Sequence, residues 1–489
     1  MVNKNLKRIA IVLAVVSLFS VLMTACADSP VGGGGNVDFD NRDPIYEGLP
    51  DYDFDGESVD FLANESLYSN ARNWYGDDEL SSGSINEAIY ERNERVSMAF
   101  NVKFTEYYEK DKDAALMTID SLVAAGDDSF DIICIPARYM LDVAAKNYLY
   151  TYDELDNIDL HGDAWIQWVN DIIKINGVNF FAFSDAMLSL YDFTHMMLFN
   201  TKVLNNYNIK TSPYDYVEDG TWTYDNMYTM MRKVASDLNG DGRYTEDDMY
   251  GYVCPAYSVL ANYWISGGAV SVKKLTNRGY FIFDLTGDKH FDTVYRRIFE
   301  MFSGTNVWKS TASDANRYYD TDFTFQTNHA LFADHTFYSV SQLRDMESDF
   351  GIVPYPKWDE NQEQYYSRVE AGTKTWGVLY IQDPTITGTI IEALSRDSHE
   401  HLIHTYYDIT LQLKLTRDDK SIEMLDLIRS TMTYDPGDTL FCDEVRNGIF
   451  KNAFVNKTTD LASLLASKGG SVQSMINEKN EYFRDMFGG

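Results

Sequence analysis

Short apolar segments alternate with helical segments along most of this chain, and that alternation constrains the fold more than any other feature. "VKFTEYY" (102–108), "FDIICIP" (130–136) and "HMMLFN" (195–200) have the length and the aromatic or β-branched content of strands. Between them, apolar residues recur at helical spacing in 85–100, and "DAALMTIDSLVAAG" (113–126) is a second predicted helix. Alternation over 489 residues predicts an α/β protein with covered sheets and more than one core.

Further elements are predicted on the same grounds. "VNFFAFS" (178–184), "FGIVPYP" (350–356) and "TWGVLYI" (375–381) are predicted strands, "VLNNYNI" (203–209) is a predicted short helix, and the C-terminal portion is predicted to be helical.

The N-terminus resembles a bacterial lipoprotein signal peptide. "MVNKNLKR" is a basic segment, "IAIVLAVVSLFSVL" is apolar, and "MTAC" is a small-residue cleavage site that ends in Cys26. Met23 departs from the usual pattern, in which leucine stands third before the cysteine. An apolar run of about 14 residues is short for a transmembrane span. We therefore expect cleavage before Cys26, a diacylglycerol group on its sulfur, and a glycine-rich tether over 27–50 that holds the folded part outside the cell membrane.

Net charge and cysteine content exclude several classes of function. A formal charge of −34 makes nucleic acid and anionic membrane surfaces poor partners. Beyond Cys26, three cysteines at wide spacing (Cys134, Cys254 and Cys442) form neither a disulfide framework nor a zinc motif. Tyrosine is abundant, with 35 residues, and predicts either a tyrosine-rich core or a cleft lined with rings.

Seven segments, in order, carry a resemblance to a known family. The chain resembles the extracellular solute-binding proteins of bacterial ABC importers, the class that includes maltose-binding protein and sugar-binding lipoproteins. The resemblance covers most of residues 50–440 and rests on "GSINEAIYERNERVSMAFNVKF", "AGDDSFDIICIPARYMLDVAAKNYLYTYDEL", "LFNTKVLNNYNI", "GTWTYDNMYTMMRKVASDLNGDG", "DMYGYV", "DFGIVPYPKWDENQEQYYS" and "LTRDDKSIEMLDLI".

The resemblance implies the fold, the function and the partners. It implies a two-lobed, periplasmic-binding-protein-like α/β fold (type II), with residues 51–190 plus 375–430 in one lobe and 191–374 plus 431–489 in the other. Such proteins are monomers that close on a solute and deliver it to ABC permease subunits, without covalent chemistry. The expected cargo is an oligosaccharide, although a peptide or another small polar solute stays open.

Candidate ligand-binding residues lie in loops at strand ends. Sugar recognition combines aromatic rings for stacking with charged or amide groups for the hydroxyls. The resemblance places ligand-facing groups after "DIICIP" and in "HALFADHTFYSV". The candidates are Trp74, Tyr75, Arg138, Tyr139, Asp185, Tyr263, Trp264, His335, Phe337, Tyr338 and Trp376.

The stretch "DLNGDGRYTEDD" (237–248) has the spacing of an EF-hand-type calcium loop. Its ligands would be Asp237, Asn239, Asp241, the carbonyl of Arg243, Thr245 and Asp248. A single loop with aspartate at the twelfth position predicts a structural calcium ion and not a sensor. A metal-free Asp/Asn/Gly turn fits the same residues.

Three rival functions stay open. A secreted glycoside hydrolase would use the same aromatic cleft and a carboxylate pair, but no catalytic signature such as G-x-S-x-G or H-E-x-x-H appears. A surface lipoprotein could merely adhere to polysaccharide. "SHEHLIH" (398–404) holds three histidines, which would suit a zinc-binding importer subunit.

Overall fold

The computed structural model describes residues 42–64, 85–245, 247–275, 279–310, 317–343, 345–407 and 418–488. The longer strands are β1 (Glu57–Asn64), β2 (Val102–Glu109), β3 (Ile132–Pro136), β4 (His195–Asn200), β5 (Tyr250–Pro255), β8 (Val307–Ser310), β9 (Ala330–Thr336), β10 (Phe350–Val353) and β12 (Lys374–Gly377). The two-residue strands are β6 (Lys273–Lys274), β7 (Phe281–Ile282), β11 (Ser367–Arg368) and β13 (Met432–Thr433).

The α-helices are α1 (Ile85–Phe100), α2 (Lys112–Ala125), α3 (Ala137–Ala145), α4 (Gln167–Ile173), α5 (Ser189–Asp192), α6 (Thr201–Asn206), α7 (Pro213–Glu218), α8 (Tyr224–Val234), α9 (Val259–Ser266), α10 (Lys289–Phe302), α11 (Arg317–Gln326), α12 (Pro384–Asp397), α13 (Ile403–Tyr407), α14 (Asp419–Ser430), α15 (Asn452–Val455) and α16 (Leu461–Met486). There are two π-helical segments among the described residues: Ser398–Leu402 follows α12 directly, and Asp443–Lys451 directly precedes α15. None of the helices in the described part of the chain combines the length and apolarity needed to cross a membrane.

Local sequence explains where these helices begin and end. Asp111 accepts a hydrogen bond from the backbone N–H of Ala114 at 2.8 Å and so caps α2. Gly126 ends the same helix in the left-handed region, at φ 64°, where glycine has no Cβ to clash. Asp288 caps α10 in the same way as Asp111 caps α2.

The first lobe is built on a four-stranded sheet. Its strand order is β12-β3-β1-β2. β1 is parallel to β2 and β3, whereas β12 runs antiparallel to β3. Helices α1, α2 and α3 pack against the strands of this sheet, and α12 packs on α1.

The second lobe is built on a five-stranded sheet. Its strand order is β10-β4-β9-β5-β8. β5 is parallel to β8 and β9, and β4 is antiparallel to β9 and β10. The segment from 435 to 451 belongs to this lobe, because Asp435 accepts hydrogen bonds from Trp264 and Ser271, and Phe450 packs on Trp264.

Three chain segments lie side by side between the lobes. Thr194 forms an antiparallel bridge with Val369, and β11 pairs in parallel with β13. The N–H of Glu370 donates to the carbonyl of Phe193 at 3.0 Å. In the described part of the chain, these paired segments join the two lobes, so they form the hinge.

The structure differs from the sequence predictions at two places. Residues 178–184 form isolated bridges and not a strand, because the Asn170 side chain takes the hydrogen bonds of the Phe183 backbone that a neighbouring strand would supply. The lobe boundary also differs near residue 430. Helix α14 packs against β10, and Leu425 and Ile428 lie in the small core of the second lobe, whereas the sequence assigned 375–430 to the first.

Candidate functional site

The carboxyl ends of the parallel strands in each lobe meet on the same side of the hinge. In the first lobe these ends are Asn64 and Pro136, with Lys374 at the start of antiparallel β12 beside Pro136. In the second lobe Thr336 pairs with His195, the first residue of β4. Because ligands of open α/β sheets bind outside the carboxyl ends of strands, the crevice between these two edges is the candidate site.

Side chains from the two lobes meet in that crevice. Arg138 follows β3 of the first lobe, and its Nη1 lies 3.2 Å from Cys442 Sγ and 3.4 Å from Asp443 Oδ1 of the second lobe. Arg446 Nη2 lies 2.9 Å from the same sulfur. We call Arg138, Tyr139, Tyr257, Glu370, Cys442 and Arg446 the cleft cluster.

Two tyrosine rings support the two guanidinium groups. Arg138 Cζ lies 4.7 Å from the ring centroid of Tyr139, and Lys112 Nζ lies 5.1 Å from it. Arg446 Cζ lies 5.5 Å from the centroid of the Tyr257 ring. Cation–π contacts of this kind hold the guanidinium groups in place beside an aromatic surface. Each of the two rings is 8% exposed, so in this conformation they hold the guanidinium groups and leave little ring surface free.

A buried polar network lies behind the cleft cluster. Arg368 donates to both oxygens of Asp438 at 2.6 and 3.0 Å, and its Nη1 donates to His195 Nε2 at 2.8 Å. Because Nε2 accepts this hydrogen bond, the proton of His195 lies on Nδ1, which is 2.9 Å from Asp334 Oδ1. This network ties the hinge strand β11 to the edge of the second sheet, so it fixes the floor of the crevice.

Glu370 is the hinge carboxylate of the cleft cluster. Burial opposes its ionisation, but the positive charges of Arg446 and Arg368 outweigh burial and hold the pKa of Glu370 well below its ordinary value. Glu370 is therefore an anionic acceptor in the crevice at neutral pH, 3.3 Å from Arg446 Nη1.

The first-lobe candidates from the sequence are divided between the crevice and the core. Arg138 and Tyr139 lie in the crevice. Trp376 lies in β12, is 1% exposed, and packs against Phe61 with ring centroids 5.7 Å apart. Asp185 accepts hydrogen bonds from Tyr191 and from His399 at 2.6 Å, so its oxygens already have protein partners. Trp74, Tyr75 and the lipidation candidate Cys26 lie outside the described residues.

The two second-lobe candidates on α9, Tyr263 and Trp264, are buried. Tyr263 is fully buried and packs on Phe302 and Tyr355. Trp264 is 1% exposed and donates to Asp435 at 2.8 Å. In this conformation neither ring offers a face to a solute, because core partners cover both.

The remaining candidates follow β9 or lie at its end. His335 contacts Ser339 at 3.1 Å and Asp322 at 3.3 Å, and burial lowers the pKa of His335 to about 4. Phe337 is buried in the small core of the second lobe, and Tyr338 is half-buried. As ligand contacts, all of the candidates stay predictions.

Sequence reasoning missed four members of the cleft cluster: Tyr257, Glu370, Cys442 and Arg446. Tyr257 follows β5 by two residues, so the strand-end rule that selected Tyr139 could have found it. Glu370 and Arg446 carry no comparable signal, because they lie far apart in sequence and meet only through the hinge and the C-terminal segment.

The loop at 237–248 is hydrogen-bonded within itself. Asp237 accepts from the N–H groups of Gly240 and Gly242 at 2.6 and 2.8 Å, and Asp248 accepts from those of Leu238 and Thr245. These donors, led by Thr245, lower the pKa of Asp248. Asn239 and Asp241 each accept one backbone N–H as well.

The described residues contain no group of three or more His, Cys, Asp or Glu side chains placed to hold one metal ion. The histidines of 398–404 also form no such group. Calcium in the loop stays a prediction, and nothing proposed below uses it.

Comparisons with known proteins identify the fold. No protein-family model matches the sequence, and a search of curated proteins finds no relative. Solved structures do match. An ABC substrate-binding protein from Listeria monocytogenes in complex with cycloalternan is 11% identical, with a TM-score of 0.51 over 89% of this chain and all of that one. A family 1 extracellular solute-binding protein from Bifidobacterium longum subsp. infantis is 11% identical, with a TM-score of 0.54 over 85% of this chain and all of that one.

This chain has the fold of the two-lobed solute-binding proteins. A sugar transporter from Rhizobium etli in an open conformation agrees with the other two, with 11% identity and a TM-score of 0.55 over 87% of this chain and 98% of that one. The type II solute-binding fold predicted from the sequence is thereby confirmed. These matched structures are described as binding or transport proteins.

Proposed function

We propose that this protein is a lipid-anchored, extracellular solute-binding protein that captures an oligosaccharide by hinge closure and delivers it to an ABC importer. The observation that carries the proposal is the contact of Arg138, on the first lobe, with Cys442 and Asp443 on the second, at the carboxyl edges of both sheets. A solute there touches both lobes only when they are closed, so its binding free energy favours the closed form.

The chemistry of the crevice supports a saccharide cargo. Arg138, Arg446 and Glu370 supply donors and an acceptor for hydroxyl groups, and the rings of Tyr139 and Tyr257 lie directly beside the two arginines. The Listeria structure of the same fold binds cycloalternan, an observation made on that protein. Anchoring at Cys26 rests on the N-terminal sequence and would keep the binding lobes beside a membrane permease.

The test is a panel of purified oligosaccharides, with thermal unfolding and calorimetry as the two readouts. A ligand at about 100 times its dissociation constant adds roughly 2.7 kcal/mol to the free energy of unfolding. Each glycan is then recovered and its length measured. A bound and intact glycan supports the proposal, and a shortened glycan refutes it in favour of a hydrolase.

Anchoring is tested separately. In a bacterial host that processes lipoproteins, the wild-type chain should label with palmitate and fractionate with membranes. Cys26→Ser should not label. Equal labelling of the two chains would contradict the lipid anchor.

A further inference from the structure

The two arginines of the cleft cluster are incompletely satisfied. The Nε atoms of Arg138 and Arg446 are buried and have no hydrogen-bond partner among the described residues. The whole Arg446 residue is 5% exposed, so bulk water does not replace the missing acceptor. A buried guanidinium donor without an acceptor is unfavourable, and native proteins seldom retain one without a reason.

Arg368, in the adjoining network, provides an internal comparison. Each of its three guanidinium nitrogens has a partner at 2.6 to 3.0 Å, among them both oxygens of Asp438. The carboxylates nearest to Arg446 lie farther away, at 3.3 Å for both Glu370 and Asp438. Because Arg368 already binds Asp438 closely, this carboxylate neutralises Arg446 only in part.

The positive charge of Arg138 is neutralised even less than that of Arg446. Among the described residues, its carboxylate contact is Asp443 at 3.4 Å. The Asp443 side chain is 54% exposed, so solvent screens its charge. The partner that both arginines share is the Cys442 sulfur. Burial raises the pKa of this thiol, although both guanidinium groups oppose the rise. A neutral thiol is a weak acceptor.

The position of the two arginines indicates what would satisfy them. They come from opposite lobes and approach the same sulfur atom, at 3.2 and 2.9 Å, so their guanidinium groups are close neighbours with like charge. A carboxylate between them would accept hydrogen bonds from both and relieve their repulsion. The rings of Tyr139 and Tyr257, each 8% exposed, lie beside the same two groups and hold them in place.

We propose that the cargo is an acidic oligosaccharide, whose carboxylate is bound between Arg138 and Arg446. This inference rests on the proposed function and narrows it from saccharides in general to uronate-containing ones. It also gives closure a specific cause, because the anion joins one arginine from each lobe.

The first experiment compares ligands that differ in charge alone. Calorimetry would measure the binding of di- to tetrasaccharides of galacturonate, glucuronate or mannuronate, and of the same oligosaccharides after carboxyl reduction to the neutral sugar. We expect one acidic series to bind, and its reduced form to bind about 10- to 100-fold more weakly, the ratio expected for a hydrogen bond to a charged group. Acetate at the same concentration distinguishes a saccharide site from a simple anion site.

The second experiment uses matched variants. Arg138→Gln and Arg446→Gln should each lose about 10- to 100-fold in affinity for the acidic ligand. Arg296→Gln should lose nothing, since that side chain is 64% exposed on α10. Wild-type affinity should also fall as salt is raised. If Arg446→Gln does not fold, Arg138→Gln carries the test, because its side chain is 22% exposed.

Each outcome decides one of the two proposals. Equal binding of the acidic and reduced forms, or binding of neutral glycans alone, overturns the acidic cargo and leaves the solute-binding function in place. If acetate binds as strongly as the oligosaccharide, the proposal that the cargo is a saccharide is overturned. If no glycan of either panel binds, the acidic cargo and the proposed function both fail.

Discussion

Replacement of Trp264 distinguishes a ring that faces the solute from one that holds the second lobe together. The sequence made Trp264 a candidate for stacking on a sugar. The structure buries it to 1% exposure, with the ring centroids of Phe450 and Phe291 at 5.0 and 5.9 Å. From this placement we expect Trp264→Ala to lower the free energy of unfolding and not to act first on affinity.

The magnitude follows from what the mutation removes. Truncation of a buried tryptophan to alanine costs about 3–5 kcal/mol. Asp435, which accepts the indole N–H at 2.8 Å, keeps hydrogen bonds from Ser271 and Gly437, so no carboxylate is left without donors. We therefore expect about 4 kcal/mol for Trp264→Ala. Trp264→Phe keeps most of the ring contacts, loses one hydrogen bond to a charged group, and should cost about 2 kcal/mol.

The assay is denaturant unfolding of the purified protein, monitored by circular dichroism. The solute affinity of each variant is measured in parallel by titration. Tyr482→Ala is the control, because that side chain is 51% exposed and its loss should change the free energy of unfolding by less than about 0.5 kcal/mol. If Trp264→Ala unfolds within about 1 kcal/mol of the wild type but loses affinity, the ring faces the solute and the reasoning is refuted.

Three further predictions concern the cleft, the first lobe and the acidic loop. Tyr139→Ala should weaken solute binding by about 1–3 kcal/mol in calorimetry if its ring stacks on the solute, and unchanged affinity would remove it from the site. The hydrogen bond from Asp185 raises the pKa of His399 above its ordinary value of 6.5, so this pair stabilises the fold below pH 6.5 and the contribution is lost as pH rises through the folded-state pKa. Between pH 6 and 8 the thermal midpoint should thus fall further in the wild type than in Asp185→Asn. An equal fall in both proteins would show that the His399–Asp185 pair does not contribute to stability. Calcium should raise the thermal midpoint of the wild type but not of Asp241→Ala, and identical midpoints in calcium and in chelator would favour the metal-free turn.

Local patterns predicted most of the elements in the described part of the chain. The strands at 102–109, 132–136 and 195–200 and the helices at 85–100 and 112–125 follow from periodicity and capping, which act over a few residues. The strand prediction for 178–184 was wrong, because the side chain of Asn170 on the preceding helix takes backbone hydrogen bonds of Phe183 that a neighbouring strand would otherwise make. No local pattern records such a competitor.

The candidate site was predicted only where it coincides with a strand end. Arg138 and Tyr139 follow β3, and their position in the crevice could be anticipated from that fact alone. Tyr263 and Trp264 also looked like loop residues near a strand end. They lie on α9 and point into the core, because α10 and the C-terminal segment cover that helix.

The sequence by itself determined the class of protein: an α/β chain with a lipoprotein-like N-terminus, a strong negative charge, and an ordered set of segments that resembles the solute-binding proteins. Those properties depend on composition and on short-range periodicity. Only the tertiary structure decided that Tyr263, Trp264 and Trp376 belong to the core, and it brought Arg138, Glu370 and Arg446 together from three distant parts of the chain. The physical reason is that burial and charge pairing depend on distances in space, which the order of residues does not contain until the hinge strands have set them.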